Sequence, residues 1–201
     1  MTSARTTPKF ERGFKTWAEN TALALRDSLD LGPADPLDTF ALADYLEVRV
    51  IDIQRLSLPD ASREYLCSKS GDEWSALTVR VGGVDAIVLN PRHSTRRQAS
   101  DMAHELSHIL RKHQPAQIFI APQIPVRMRT FDRAQEDEAN WLAGCLLLPR
   151  PALLHILIQG WQDETACEYY NVSLQMLRFR RNVSGVDKQL SVGRGRSYTR
   201  S

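Results

Sequence analysis

Residues 104–108 read His104-Glu105-Leu106-Ser107-His108. Two histidines four residues apart on a helix project from one face, so both can reach a single metal ion. The acid between them comes to the same opening, where a base for an attacking water is needed. The flanks are helical in character. Ser94 is a suitable N-cap after Pro91, and the run continues to about His113. Within it Ala99, Met102, Ala103, Leu106, Ile109 and Leu110 recur at helical spacing. At about 100° per residue they form one apolar stripe, with His104 and His108 roughly opposite. The expectation is a helix with a core side and a histidine side, which is what a metal cleft needs. Arg97 and Arg111 fall near the histidines, as they would on any solvated face. The decisive feature is the coincidence of the five-residue pattern with that helical context.

A catalytic metal site usually takes three protein ligands. The position six past His108 is Gln114, so no third histidine stands there. His113, five past His108, points away from the pair on a continuous helix and reads as a helix-end histidine. Acids cluster at Glu136-Asp137-Glu138, early in a second long helix expected from about Thr130 to Leu148 and stopped by Pro149 and Pro151. Its apolar face comprises Ala139, Leu142, Ala143, Leu146 and Leu147. Glu136 lies about 50° from the centre of that face, Glu138 about 110° and Asp137 about 150°. Glu136 is the acid best placed to face inward, with Glu138 as the alternative. Asn140 shares the side of Glu136 and is a candidate to hydrogen-bond a ligand.

Outward from these helices, the chain reads as alternating short elements. Phe10 to about Leu31 is amphipathic, and Gly32, Pro33 and Pro36 break it. A short helix from Leu37 to Leu46 is followed by a strand-like alternation over 48–53. Residues 57–72 read as irregular. Trp74 to Val81 and Asp85 to Leu89 read as a hairpin joined at Gly82-Gly83, a sheet for the metal helix to pack on. Residues 114–129 hold three prolines and no period, a loop long enough to border a cleft. Beyond Pro149, short helices are expected at 152–158, 163–170 and 173–181, the last two joined at Asn171-Val172. The expected division is 10–149 and 150–183, with 1–9 and 184–201 as loose tails.

Composition sets the outer limits. The 201 residues carry 42% hydrophobic and 25% charged side chains, ordinary for a globular protein. A net charge of +2 is too near neutral to argue for a nucleic-acid partner. No apolar run approaches the ~20 residues of a membrane span. Cys67, Cys145 and Cys167 are widely spaced and odd in number, as expected of thiols in a reducing cytoplasm.

The segment 102–110, with Glu136-Asp137-Glu138-Ala139-Asn140-Trp141-Leu142-Ala143 and Leu146-Leu147-Leu148-Pro149, resembles the ImmA/IrrE family of zinc metallo-endopeptidases. That family carries A-H-E-x-x-H, then E-x-x-A-N-x-F-A and L-L-x-P. Trp74-Ser75-Ala76, Asn90-Pro91 through Arg97, and Asn171-Val172-Ser173 with Arg178 and Arg180 extend the likeness over most of 10–183. Leu142 departs from the usual Phe and Leu148 from a common Met, both apolar exchanges. The resemblance implies an α+β, zincin-like domain with a C-terminal helical, helix-turn-helix-like region. It implies zinc (Zn2+) on His104, His108 and Glu136, with Glu105 as the base. The donor set favours zinc over manganese. His155, Tyr169, Tyr170 and several arginines are the candidates to stabilise the oxyanion. The implied partner is a helix-turn-helix transcriptional repressor, cleaved to release stress, phage or mobile-element genes. Two other readings stand beside it. One is a DNA-binding regulator using residues 166–173, with Arg178, Arg180 and Arg181 on phosphates. The other is a metal-containing sensor or toxin component without protease activity.

Overall fold

The computed structural model describes residues 10–55, 59–67, 74–81, 84–113, 132–187 and 189. Helix α1 spans Phe14–Ser28 and α2 Thr39–Tyr45, the latter capped by Asp38, whose carboxylate accepts from Phe40 N. Strand β1, Arg49–Ile51, runs into a single 3-10 turn at Ile53–Arg55. Then come α3 (Asp60–Cys67), β2 (Ala76–Val81), β3 (Val84–Leu89), α4 (Thr95–Leu110) and α5 (Arg133–Leu147). Three helices follow, α6 (Arg150–Gln159), α7 (Asp163–Tyr169) and α8 (Leu174–Ser184).

The expected hairpin forms. Strands β2 and β3 pair antiparallel from Ala76↔Leu89 to Val81↔Val84. Strand β1 joins the far side of β3 in parallel, giving the order β1-β3-β2. The central strand buries Ala86, Ile87 and Val88, as a strand paired on both edges and covered on both faces should, with Ile87 in the α4 core and Val88 in a cluster with Ile53 and Trp74. Helix α4 lays its apolar stripe on this sheet, with Met102 and Leu106 fully buried in the same cluster as Ile87. The mixed helix and sheet content makes this an α+β domain.

Helix α5 is more deeply set than its one-sided apolar face suggests. Every residue from Trp141 to Leu148 is buried. The cause is its position between α1 and α4, with α8 along its second half. Ala18, Ala22 and Leu142 fill the core on one side, and Ala143, Leu147, Leu153 and Leu177 fill a second core shared with α6–α8. Gly144 lets α8 come close: a Cβ there would lie 2.6 Å from Arg180 Cδ.

Two expectations are corrected. Residues within 57–72 include a helix, α3. Pro59 begins its first turn, accepting from Arg63 N at 3.0 Å. The helix anchors to the sheet end, where Trp74 Nε1 donates to Leu66 O at 2.9 Å. The folded chain also runs past residue 183. Ser184 ends α8, Gly185 takes a left-handed φ of 70°, and Val186 is fully buried beyond it. The long loop expected at 114–129 lies outside the described residues. The three cysteines are free, with Cys145 and Cys167 buried. Among the described residues no single helix is long and apolar enough to cross a membrane.

Candidate metal centre

The placement of α4 starts at its N-terminus. Ser94 accepts from Arg97 N and caps the helix, so the first turn is satisfied. Just upstream, buried Asn90 binds in three directions. Its Nδ2 donates to Trp74 O at 2.9 Å, its Oδ1 accepts from Arg92 N, and its carbonyl accepts from Gln98 Nε2. The hairpin end and the α4 lead-in are thus tied together. Helix α5 is capped by Asp132, which accepts from Ala134 N at 2.9 Å, and Glu136 falls in the first turn.

These two helices bring His104, His108 and Glu136 together. One ligand atom from each lies within 4.8 Å of the others. His104 Nε2 and His108 Nε2 are 3.0 Å apart, and Glu136 places Oε2 3.2 Å from the first and Oε1 3.6 Å from the second. The three side chains are 20%, 13% and 16% exposed, enough to be reached from solvent but not freely hydrated. Two imidazole nitrogens and a carboxylate aimed at one point are the nitrogen and oxygen donors that suit a catalytic zinc ion. The residues therefore fit the metal that the motif implies.

Glu105, between the two histidines in sequence, is turned toward the sheet. It is 3% exposed, and its Oε2 accepts from Thr78 Oγ1 at 2.5 Å. Thr78 was invisible to the sequence reading. Its strand alternates, but nothing local says that this position of β2 faces the metal helix.

His113 is a correction. The spacing argument assumes a helix running through it, and α4 ends at Leu110. Lys112 then takes φ 56°, and the chain turns back so that His113 N donates to His108 O at 2.9 Å. The His113 ring lands on the histidine pair, its Nδ1 3.0 Å from His108 Nδ1. Glu138, the alternative ligand, belongs to this outer layer. Its Oε2 accepts from Arg111 Nη2 at 2.6 Å and Nε at 2.7 Å, and lies 3.3 Å from His113 Nε2. Arg111 in turn lies over the rings of Phe14 and Trp17, at 5.1 and 4.9 Å.

The remaining candidates are placed elsewhere. Asn140 is exposed, and among the described residues no hydrogen bond joins it to the three ligands. Tyr170 is buried and donates to Ala34 O at 2.8 Å; burial pushes its phenol up to about 12. His155 meets Trp161 edge to face and stacks on Tyr169 in an aromatic cluster between α6 and α7. The arginines proposed for phosphate contact are engaged within the fold. Arg180 is fully buried, and Arg178 and Arg181 approach Asp163 at 3.8 and 3.0 Å. A buried guanidinium cannot meet a DNA backbone, so Arg180 drops out of that set, while Arg178 remains exposed. A further pair, His93 Nδ1 and Asp101 Oδ2 at 2.7 Å, was also not foreseen. Asp101 stands three residues before His104 on α4.

Two histidines on one helix and a carboxylate from the next form a group that could hold one metal ion on an α+β domain. The chain belongs to the family of IrrE N-terminal-like domains, Peptidase_M78, whose pattern matches residues 47–182. No match is found among curated proteins. A Mycobacterium tuberculosis transcriptional regulator of known structure is similar at 15% identity and a TM-score of 0.49, over 84% of this chain and 46% of that one. This chain thus spans less than half the length of that regulator.

Proposed function

We propose that the chain is a zinc-dependent endopeptidase whose substrate is a protein, a helix-turn-helix transcriptional repressor. One observation carries the enzymatic part: three ligand atoms within 4.8 Å of one another, next to a buried glutamate held in place by a strand residue. Zinc bound by His104, His108 and Glu136 would supply Lewis acidity, bringing the pKa of water to ~7 and polarising the scissile carbonyl. Glu105 would take the proton of the attacking water on its carboxylate and return it to the leaving amine. Thr78 fixes the Glu105 carboxylate through Oε2, so the base is oriented before substrate arrives. The repressor as substrate is supported by the motif resemblance described above.

The test begins with elemental mass spectrometry of wild type and Glu136→Ala. The expected result is about one zinc per chain, lost or greatly weakened in the variant. Co-expression with a repressor encoded beside the gene should then give cleavage in wild type. A wild-type protein that takes up no metal when zinc is offered would sink the peptidase reading.

A further inference from the structure

Resting on the metal reading above, we infer that His113 and Glu138 are positioning residues that fix the tautomer of His108 and strengthen its hold on the metal. The geometry is a directed chain. His108 aims Nε2 at His104 and Glu136, so the lone pair that a metal would use is on that nitrogen. A neutral His108 then carries its proton on Nδ1. That nitrogen is 3.0 Å from His113 Nδ1, with the rings 4.9 Å apart and inclined by 70°. His113 must accept there, which leaves its own proton on Nε2, 3.3 Å from Glu138 Oε2. Glu138 is held by two N–H groups of Arg111, which is lodged against α1.

Each contact therefore dictates the next, from Arg111 to the metal-facing nitrogen of His108. A ligating imidazole whose second N–H is engaged is oriented and made a better donor, and loss of such a partner typically weakens metal binding 10–100-fold. Here the partner is a second imidazole, with the carboxylate one step further out. His113 is 7% exposed and Glu138 14%, so water does not easily replace either. The turn at Lys112 now has a purpose: with φ 56° there, the chain folds His113 back over the final turn of α4.

The test uses the full chain and three proteins: wild type, His113→Ala and Glu138→Gln. Zinc affinity is measured by competition with a chelator, and the cobalt-substituted forms are compared by their visible absorption. The expected result is a loss of about 10–100-fold in zinc affinity for His113→Ala and a smaller loss for Glu138→Gln. A shifted cobalt spectrum should accompany both, with the metal-free proteins melting close to wild type. Glu138→Gln keeps the size of the side chain, and it serves if His113→Ala does not fold. Wild-type uptake of zinc with unchanged affinity and spectrum in the variants would overturn this inference alone. Affinity losses that merely track a drop in metal-free stability, with an unchanged spectrum, would overturn it too. A wild type that binds no zinc would remove the metal reading and this inference with it.

Discussion

Helix α5 carries a polar cluster at each end, and the two are opposites. At its C-terminal end, unlike charges meet. Arg180 Nη2 is 2.5 Å from Glu19 Oε1, and its Nε donates to Leu148 O at 2.9 Å. Arg26 Nη2 donates to Leu146 O at 2.7 Å, and Arg150 N donates to Glu19 Oε2 at 3.0 Å. The last carbonyls of the helix, which lack intrahelical donors, are satisfied by guanidinium groups. At the N-terminal end, the Glu136 carboxylate and two imidazole nitrogens converge to 3.0–3.6 Å of one another, with no guanidinium among them. The first cluster is complete in itself. The second brings together three atoms that could hold a cation. Buried polarity alone does not separate structural clamp from site, whereas the signs of the groups that converge do.

The contrast is sharpest in catalysis. Glu105→Gln preserves size and the contact with Thr78 but removes the proton acceptor. It should lower kcat/KM on the protein substrate by about 10²–10⁴-fold while leaving metal content at the wild-type level. Cleavage assays paired with metal analysis check this. Full activity in Glu105→Gln would take Glu105 out of the mechanism.

Stability should respond in the reverse pattern. Glu19→Ala leaves the Arg180 guanidinium, 1% exposed, without its carboxylate. The expected loss is about 3–5 kcal/mol by chemical denaturation. Glu136→Ala, made in the metal-free protein, should change stability by no more than about 1 kcal/mol, because Glu136 and both imidazoles are partly open to solvent and no buried charge is left unpaired. If the two variants were equally destabilising, the distinction between the clusters would fail. A weaker probe of the same clamp is Gly144→Ala. Its methyl would fall 2.6 Å from Arg180 Cδ, so the stem must shift, at a cost of about 1–3 kcal/mol.

The same contrast explains what the sequence could reveal. His104, Glu105 and His108 were legible because their relation is set within one helix by its own period. Glu136 was legible to the extent that the apolar face of α5 orients its first turn. Ser94 marked the start of α4, and the Gly82-Gly83 dipeptide marked the hairpin. Thr78 was not legible, because which face of β2 meets α4 depends on docking. His113 was hidden by where α4 stops and by one left-handed residue. Arg26 carried no signal and Arg180 read as a candidate phosphate contact, because their partners are remote in sequence, up to 161 residues away for Arg180 and Glu19. The parallel pairing of β1 to β3 likewise comes from packing rather than from any local signal.

The smallest expected effect concerns the thiol within the clamp. Burial pushes Cys145 from 9.0 up to about 12, and Glu19 adds to the rise while Arg180 opposes it. The folded protein therefore favours the protonated thiol. Below pH 9 the thiol is neutral in both folded and unfolded chains, and its contribution is fully present. Between 9 and about 12 the unfolded thiol ionises while the folded one does not, so that contribution is lost as pH rises. Cys145→Ala removes this dependence. The stability difference between wild type and Cys145→Ala, followed by denaturant titration across that window, should fall steadily in disfavour of wild type. Alkylation at mildly alkaline pH offers a second reading, since partly exposed Cys67 should react and Cys145 should not until the protein unfolds. Rapid labelling of Cys145 in the native state would mean that the C-terminal end of α5 opens readily, and that the clamp is looser than its contacts require.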